Sequence, residues 1–599
     1  MDVELQKKIN EAVIALGQLS AQPIDFAAMD PVAKMMLVAL VAESQKVKDY
    51  ADSATDRIVE RFCTDFIPRQ KVEAVPAVCL LQPFVKASNT SMPVMVGSGS
   101  VFSYKNPQGN GTLNYIPIFN TLTLAYTGIY LLNYRCMHDA FGDSRIDIEM
   151  EKRNQAWIGI RTKTEINSLQ GLSLLIKGTN GIMPEHVSMG TTGQELEFAS
   201  IHEMEDIELA EPFDAQQSSS TFFSIIENWK ESLLNITDGA IIYITDATTD
   251  RDLFKQRQFP KIFQQWLESE VLDCFEASTI WIRLDFPEGY TVPDDFSVNI
   301  GVLPVTNIDV CTLMLTQAQP IAKLEQDDES FFLRILETST TAHNQGFNMT
   351  KEEIIVRDFD AVCYNNGSLY RDVRNLYNRF IDDYYAFIEY NNIKDGEVLK
   401  TLRETINRLG KSVGQQNATF KFDSGTYVMK NMSQLQSSST TRVSYITTMG
   451  RIGNTPRIGE KMDNTGNPGL EQECLVLVSA MGGADKATAD ERYEQLRYFT
   501  LTNDRLYTRM DIDAFLRKEL IAEYGKVEFR RIFVKMSIEG AAGGEHLQRG
   551  LYINIEFKDH KNYEHATHIA LHRLLEQRIR NRSCIAMPIV ITLKDLEEN

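Results

Sequence analysis

Disulfide chemistry, membrane spans and a basic surface are all missing from this 599-residue chain. Its eight cysteines stand singly, at Cys63, Cys79, Cys136, Cys274, Cys311, Cys363, Cys474 and Cys584, with no CxxC pair and several inside apolar runs such as Val78-Cys-Leu-Leu81. Thiols so placed pack as small buried hydrophobes in a reducing compartment, and they form no disulfide framework. The longest nearly uninterrupted apolar run, Met35 to Ala42, is far below the roughly 18 residues of a membrane span. Met1-Asp-Val-Glu-Leu-Gln-Lys-Lys8 lacks the apolar core of a secretory signal. A cytoplasmic protein without membrane insertion is therefore expected.

Positive charge is also in short supply. Lys and Arg number 61 against 82 Asp and Glu, a formal net charge of −21. The imbalance lies in the first four-fifths, since basic and acidic residues are about equal in number from Ala484 onward. A surface of that sign does not neutralise phosphates, which argues against nucleic acid as a partner.

What is present is apolar patterning sufficient for several cores, with 43% hydrophobic residues. The fold class expected is α+β multidomain, in four parts: an N-terminal helical segment at 1–71, a β-rich body at 72–310, a mixed α/β middle domain with loops at 311–473, and a small α+β module at 474–599. In the first part Leu5, Ile9, Ala12, Val13 and Leu16 share one helix. Asp30-Pro31 then opens a second, because aspartate caps a helix and proline suits its first turn. The second helix carries Met35, Leu37, Val38, Val41, Val47, Ile58 and Phe62, an apolar face broad enough for burial on more than one side.

Short apolar or alternating runs predict strands at Val78 to Phe84, Thr112 to Phe119, Ala156 to Arg161, Leu172 to Ile176, Ala240 to Thr245 and Thr279 to Phe286. Thr221 to Leu233 and Gln258 to Ser269 read as short helices, giving two sheets with inserts and not a pure barrel. Leu369 to Glu389 reads as a longer helix. The polar tract Ser433 to Ser439 and the glycine-rich stretch Gly450 to Gly469 read as exposed loops that separate the terminal module.

That module is predicted as the strand Cys474-Leu-Val-Leu-Val-Ser479, a turn at Gly482-Gly483 and a helix opening at Ala487 to Tyr493. A second helix follows from Met510, capped by Asp511 or Asp513, with Leu516, Leu520 and Ile521 on its apolar face. Strands at Arg531 to Ile538 and Leu551 to Phe557, a helix from Tyr563 to Arg580 and a last strand from Ile585 to Leu593 complete it.

Few residues suggest chemistry. His565, His568 and His572, at i, i+3 and i+7, fall on one helix face and are the only candidates for a metal. They lack the carboxylate of a helical zinc-enzyme motif, so a groove or interface is the plainer role. Gly97-Ser-Gly99 is too short for a dinucleotide fingerprint, and Gly482-Gly483 lacks the lysine and serine of a phosphate loop. Asp382-Asp383, Glu352-Glu353 and the segment Glu203, Glu205, Asp206 and Glu208 read as solvated charge. No G-x-S-x-G elbow occurs. No catalytic, cofactor-binding or metal residue is assigned, and no cofactor is expected.

Several islands resemble a known family. Asp30-Pro31 leading into a helix, Phe62-Cys-Thr-Asp-Phe-Ile-Pro68 and Val75-Pro-Ala-Val-Cys-Leu-Leu-Gln82 resemble the opening of type VI secretion baseplate proteins of the TssF family. Phe259-Pro-Lys-Ile-Phe263, Ile280-Trp-Ile-Arg-Leu284 and Val298-Asn-Ile-Gly-Val-Leu-Pro-Val-Thr-Asn-Ile308 follow in the order of that family's middle signature. The terminal module is similar to the C-terminal domain of baseplate wedge proteins, including baseplate J-like ones; the first 25 or so residues depart from the family's usual start.

The resemblance implies a structural wedge component of a contractile injection apparatus, not an enzyme. It implies two copies clasping one TssG-like subunit, the N-terminal helices in an inter-subunit bundle and the terminal module pairing the copies. Further implied partners are a TssK-like adaptor, a TssE-like sheath initiator and the central spike or hub, recruited to the inner face of the cytoplasmic membrane. A wedge subunit of a phage tail or extracellular injector is the alternative of the same class. A cytoplasmic metal-dependent enzyme using the histidine helix is the alternative of another.

Overall fold

The computed structural model describes residues 12–13, 29–38, 40–41 and, with gaps, 74–200, 209–210, 229, 240–245, 259–267, 272, 279–348, 354–359, a few positions in 401–408, 425–430 and 440–595. The chain divides into two compact units, Ala74–Asp485 and a second made of Met1–Glu73 with Lys486–Asn599. No helix among the described residues is long and apolar enough to cross a membrane.

In the first unit each of the six runs expected as strands is one: Val78–Gln82, Thr112–Pro117, Gln155–Thr162, Ser173–Lys177, Ala240–Ile244 and Thr279–Asp285. Most of their residues are buried, and such continuous runs are what strands covered on both faces require. Val78–Gln82, Leu303–Thr306, Thr112–Pro117, Phe102–Lys105, Lys461–Asn464 and Glu473–Met481 close, in that order, into a six-stranded antiparallel barrel. One of its core clusters comprises Cys79, Leu81, Phe102, Tyr115, Leu303, Val305, Met462, Cys474 and Val476.

Two sandwiches follow. A seven-stranded sheet containing Thr279–Asp285, Gln155–Thr162 and Tyr126–Leu132 shares one core with a four-stranded sheet built around Ala240–Ile244 and Ser173–Lys177. Ile158, Ile160, Ile282 and Leu284 of the first meet Leu174, Ile176, Ile242 and Ile300 of the second. A smaller pair of sheets, one around Thr440–Thr448 and one around Gly425–Lys430, encloses Cys311, Leu315, Val428, Val443 and Tyr445.

Three expectations are corrected. The strand Glu473–Met481, given to the terminal module as Cys474 to Ser479, pairs with Val78–Gln82 and Lys461–Asn464 and closes the barrel. The stretch Gly450 to Gly469 is not simply exposed loop: it holds the one-and-a-half-turn helix Gly450–Asn454 and the barrel strand Lys461–Asn464, with Gly450, Gly453 and Met462 buried. Gly466 serves close approach, since a Cβ there would lie 2.2 Å from the carbonyl oxygen of Gly99. Asp309–Leu315 runs as one strand through the expected boundary at 310. The common reason is that barrel and sheet closure pair segments more than a hundred residues apart, which no local pattern announces.

Of the expected helices in this unit, Gln258 to Ser269 contains the single turn Phe263–Trp266, and Trp229 is helical. The rest of Thr221 to Leu233, all of Leu369 to Glu389, and the tracts at 433–439, 382–383, 352–353 and 203–208 lie outside the described residues.

A truncation test follows from the barrel seam. A chain ending at Glu473 loses the strand that joins both ends of the barrel and is expected to be recovered unfolded, whereas one ending at Asp485 keeps the cooperative unfolding of the body. Thermal unfolding followed by circular dichroism distinguishes them. Equal stability of the two chains would contradict the closure.

Candidate assembly surfaces

The N-terminal helix opens as Asp30-Pro31 predicts. Backbone N–H groups of Val32 and Ala33 donate to the Asp30 carboxylate at 3.0 and 3.3 Å, and residues 31–38 and 40–41 are helical. Val32, Met35, Met36 and Leu40 fall at i, i+3, i+4 and i+8, one stripe of the helix, and stand 64 to 74% exposed. Most of the remaining first 73 residues, including the helix expected from Leu5 and the segment Phe62 to Pro68, lie outside the described residues.

The terminal module of the second unit is built from two capped helices on a sheet. Thr488 accepts from the N–H of Glu491 while the Glu491 carboxylate accepts from the N–H of Thr488, a capping box that starts Ala489–Thr502. Thr508 and Asp511 repeat the device at Arg509–Tyr524: Asp511 N–H donates to Thr508 Oγ1, and the N–H groups of Thr508 and Tyr507 donate to Asp511 Oδ2. The cap is thus Thr508 with Asp511 three residues on, and Asp513 instead holds Arg517 at 2.9 Å. Between the helices Asn503 and Asp504 adopt φ of 49° and 61°, the left-handed region that ends a helix.

Strand Phe529–Gly540 pairs antiparallel with Leu547–Phe557, and Leu547–Phe557 pairs parallel with Ile589–Asp595. The parallel pair demands a crossover, which helices His560–His568 and Leu571–Arg582 supply. Leu516, Leu520, Ile521, Phe515, Ile553, Ile555, Phe557, Leu575 and Ile579 are buried in this module.

An ionic network ties three of its helical segments. Arg578 Nη1 donates to Glu519, Lys518 Nζ lies 2.8 Å from Glu519 Oε1, and Arg582 Nε lies 3.4 Å from Asp504, which also accepts from the Tyr498 hydroxyl at 2.8 Å. Lys518 Nζ stands 4.8 Å from the Tyr498 ring centroid and 5.2 Å from that of Phe515. Burial pushes the Glu519 carboxyl up, but the charges of Lys518, Arg578 and Arg582 outweigh it and hold the group well below the carboxylate range.

The histidines are not brought together as a described site. His565 and His568 fall in helix His560–His568 and His572 in helix Leu571–Arg582, but the side chains of the first two lie outside the described residues. Among the described residues no group of three His, Cys, Asp or Glu is placed to hold a metal ion. Among the described residues of this module, His560 is held by two carboxylates. Its Nδ1 is 2.5 Å from Oδ2 of the buried Asp595, and its Nε2 is 3.3 Å from Glu564. The i, i+4 pair with Glu564 is readable in the sequence; the partner on the last strand is not.

Cys79, Cys136, Cys311 and Cys474 are buried and Cys584 is exposed. Burial raises the thiol of Cys474 to about 12 and that of Cys79 further, the reverse of what a nucleophilic cysteine requires. Gly99 turns at φ 77°, and Gly482 at φ 82° ends a barrel strand. The next residue, Gly483, exchanges two hydrogen bonds with the Asn454 side chain. The Ser100 N–H donates to the Gly97 carbonyl at 3.1 Å and closes a turn, while Gly482 and Gly483 link the barrel strand to the bridge at Ala484.

No known protein family and no curated protein matches the chain. Among solved structures it is similar to a chain of the TssK-TssF-TssG baseplate subcomplex of the type VI secretion system, determined by cryo-electron microscopy. That likeness has a TM-score of 0.43 at 10% identity, over 95% of this chain and 97% of that one. It is also similar to a chain of the baseplate complex from the type VI secretion system, with a TM-score of 0.32 at 9% identity, over 98% and 95% of the two chains.

Proposed function

We propose that this chain is a structural subunit of the baseplate of a contractile injection apparatus, a type VI secretion system, acting as a scaffold and not as an enzyme. The observation that carries the reading is the apolar stripe of Val32, Met35, Met36 and Leu40, left open on a helix that is capped and formed. Four large apolar side chains on one helix face gain by burial against other helices, about 1.5–3 kcal/mol each when fully covered. That is the condition for entering an inter-subunit bundle. The ordered sequence islands supply the family, and with it two copies of this chain, a TssG-like wedge subunit, a TssK-like adaptor, a TssE-like sheath initiator and the central hub as partners. The place of action is the cytoplasmic face of the inner membrane. Copies pair through the nearly neutral terminal module, where like charge does not oppose a second copy.

Native mass spectrometry of the chain, tagged at low level in its own host, tests this. The expected mass is two copies with one smaller, unrelated subunit. Replacing Val32, Met35, Met36 and Leu40 together by glutamate is expected to release the smaller subunit without altering the unfolding of the body. A lone monomer carrying a metal ion would overturn the scaffold reading in favour of the histidine helix.

A further inference from the structure

The helical hairpin of the terminal module leaves a hollow of about 260 Å³ lined by Arg497 and Leu501 of the first helix, Arg509, Met510 and Asp513 of the second, and Val534 of strand Phe529–Gly540. Three features distinguish it from an accidental dent. Its apolar lining is open, with Leu501 51% and Met510 71% exposed. Its lining keeps one uncompensated charge: Asp513 is held by Arg517 at 2.9 Å and Arg497 stands 3.6 Å from Glu494, whereas Arg509 has no ion-pair partner among the described residues. Moreover Arg509 is the first residue of its helix, where a cation opposes the helix dipole. Helix stability alone would place an acidic residue there.

The third feature is the strand beside the hollow. Among the described residues Phe529–Gly540 pairs only with Leu547–Phe557, and no described strand lies along its other edge, the kind of edge to which a further strand can add. A strand added to such an edge points alternate side chains to the same side as Val534, and that side is the hollow.

We infer that this hollow and edge bind an extended acidic segment of a different protein. Its backbone would pair with strand Phe529–Gly540, one large apolar side chain would enter between Leu501 and Met510, and a flanking carboxylate would meet Arg509. The same face of a second copy is disfavoured as occupant, because it would set guanidinium against guanidinium. The inference is independent of the baseplate reading, since it names neither the apparatus nor its subunits.

The test is fluorescence anisotropy on the full chain with a short synthetic peptide alternating glutamate and valine around one central phenylalanine. Saturable binding is expected, lost when the peptide's alternate backbone nitrogens are methylated and absent for a counterpart with lysine at every glutamate. Arg509→Glu and Leu501→Asp are each expected to weaken it about tenfold. Arg509→Glu removes an unfavourable charge from a helix start, so it does not unfold the module and any loss of binding reads on the contact itself. Three results would overturn the proposal: equal binding of the lysine peptide, unchanged affinity in both variants, or no saturable binding at all. Concentration-dependent dimerisation of the chain that Arg509→Glu abolishes would assign the hollow to a second copy and likewise overturn it.

Discussion

A Gly159→Val variant is expected to be recovered unfolded or aggregated, and Gly159→Ala to unfold at distinctly lower denaturant. Gly159 lies in register between Tyr130 and Trp281 on the neighbouring strands. The two rings close over it, with centroids 6.2 Å apart and planes within 19°, an approach open only where the intervening residue has no side chain. A Cβ at this position would stand 2.6 Å from a Trp281 ring carbon. Trp281 has nowhere to go: it is 1% exposed and meets the Phe263 ring edge-on at 4.7 Å, and Phe263 in turn meets Trp157 at 5.1 Å. Overpacking of this kind costs about 1–3 kcal/mol for one methyl, and valine adds two further methyls to the same space. Urea unfolding read by tryptophan fluorescence measures it, since three tryptophans line the site. Adding Trp281→Phe to Gly159→Ala is expected to recover part of the loss, as contacting residues couple. Wild-type stability of Gly159→Ala would show that the rings do not close over the glycine.

Glu519→Ala is the second large effect, expected to destabilise the terminal module by about 3 kcal/mol. Removing the carboxylate leaves Lys518 and Arg578, whose side chains are 12% and 27% exposed, without their common counter-charge. The cost is therefore dominated by two stranded cations and exceeds that of an exposed pair. Converting the pair to apolar residues, as in Glu519→Leu with Arg578→Met, is expected to cost less than Glu519→Ala alone. Hydrogen exchange of peptides from 509–524 and 571–582 reads the local stability.

The network also fixes a pH dependence. The folded carboxyl of Glu519 titrates below its unfolded value, so its contribution is complete above the ordinary carboxylate range and is lost as pH falls through the folded value. Protection in both helices is expected to decline on acidification below about pH 4.5, the ordinary glutamate value. In Glu519→Gln that part of the decline is expected to be absent. An acid profile shared by wild type and Glu519→Gln would remove Glu519 from the network's energetics.

How much of this was readable in advance differs from element to element. Asp30-Pro31 marks a helix start through two local effects, an accepting carboxylate and a fixed φ, and the structure places the cap there. The second capping box was half legible. Asp511 stands out in the sequence, but Thr508, the residue that accepts from the Asp511 N–H, precedes the apolar pattern that draws the eye. Lys461–Asn464 was invisible, since four residues among glycines and asparagines carry no period. It is a strand because Phe102–Lys105 and Glu473–Met481 flank it. For the hollow, sequence offered the exposed-type residues Arg497 and Arg509 but no reason to join them, because a helical hairpin and the edge of a later strand must first meet.

By itself the sequence determined six strands of the body, the two helices of the terminal module, the unpaired state of the five described thiols and the asymmetry of charge. Each is decided within a few residues, by backbone preference, side-chain volume or sign. Tertiary structure alone decided that residues 473–481 close a barrel begun at 78, that Gly159 makes room for two rings, and that Glu519 answers cations from two helices. These depend on which distant segments share a core, and that choice is made by the total area and shape that packing removes from water, a quantity no single segment carries.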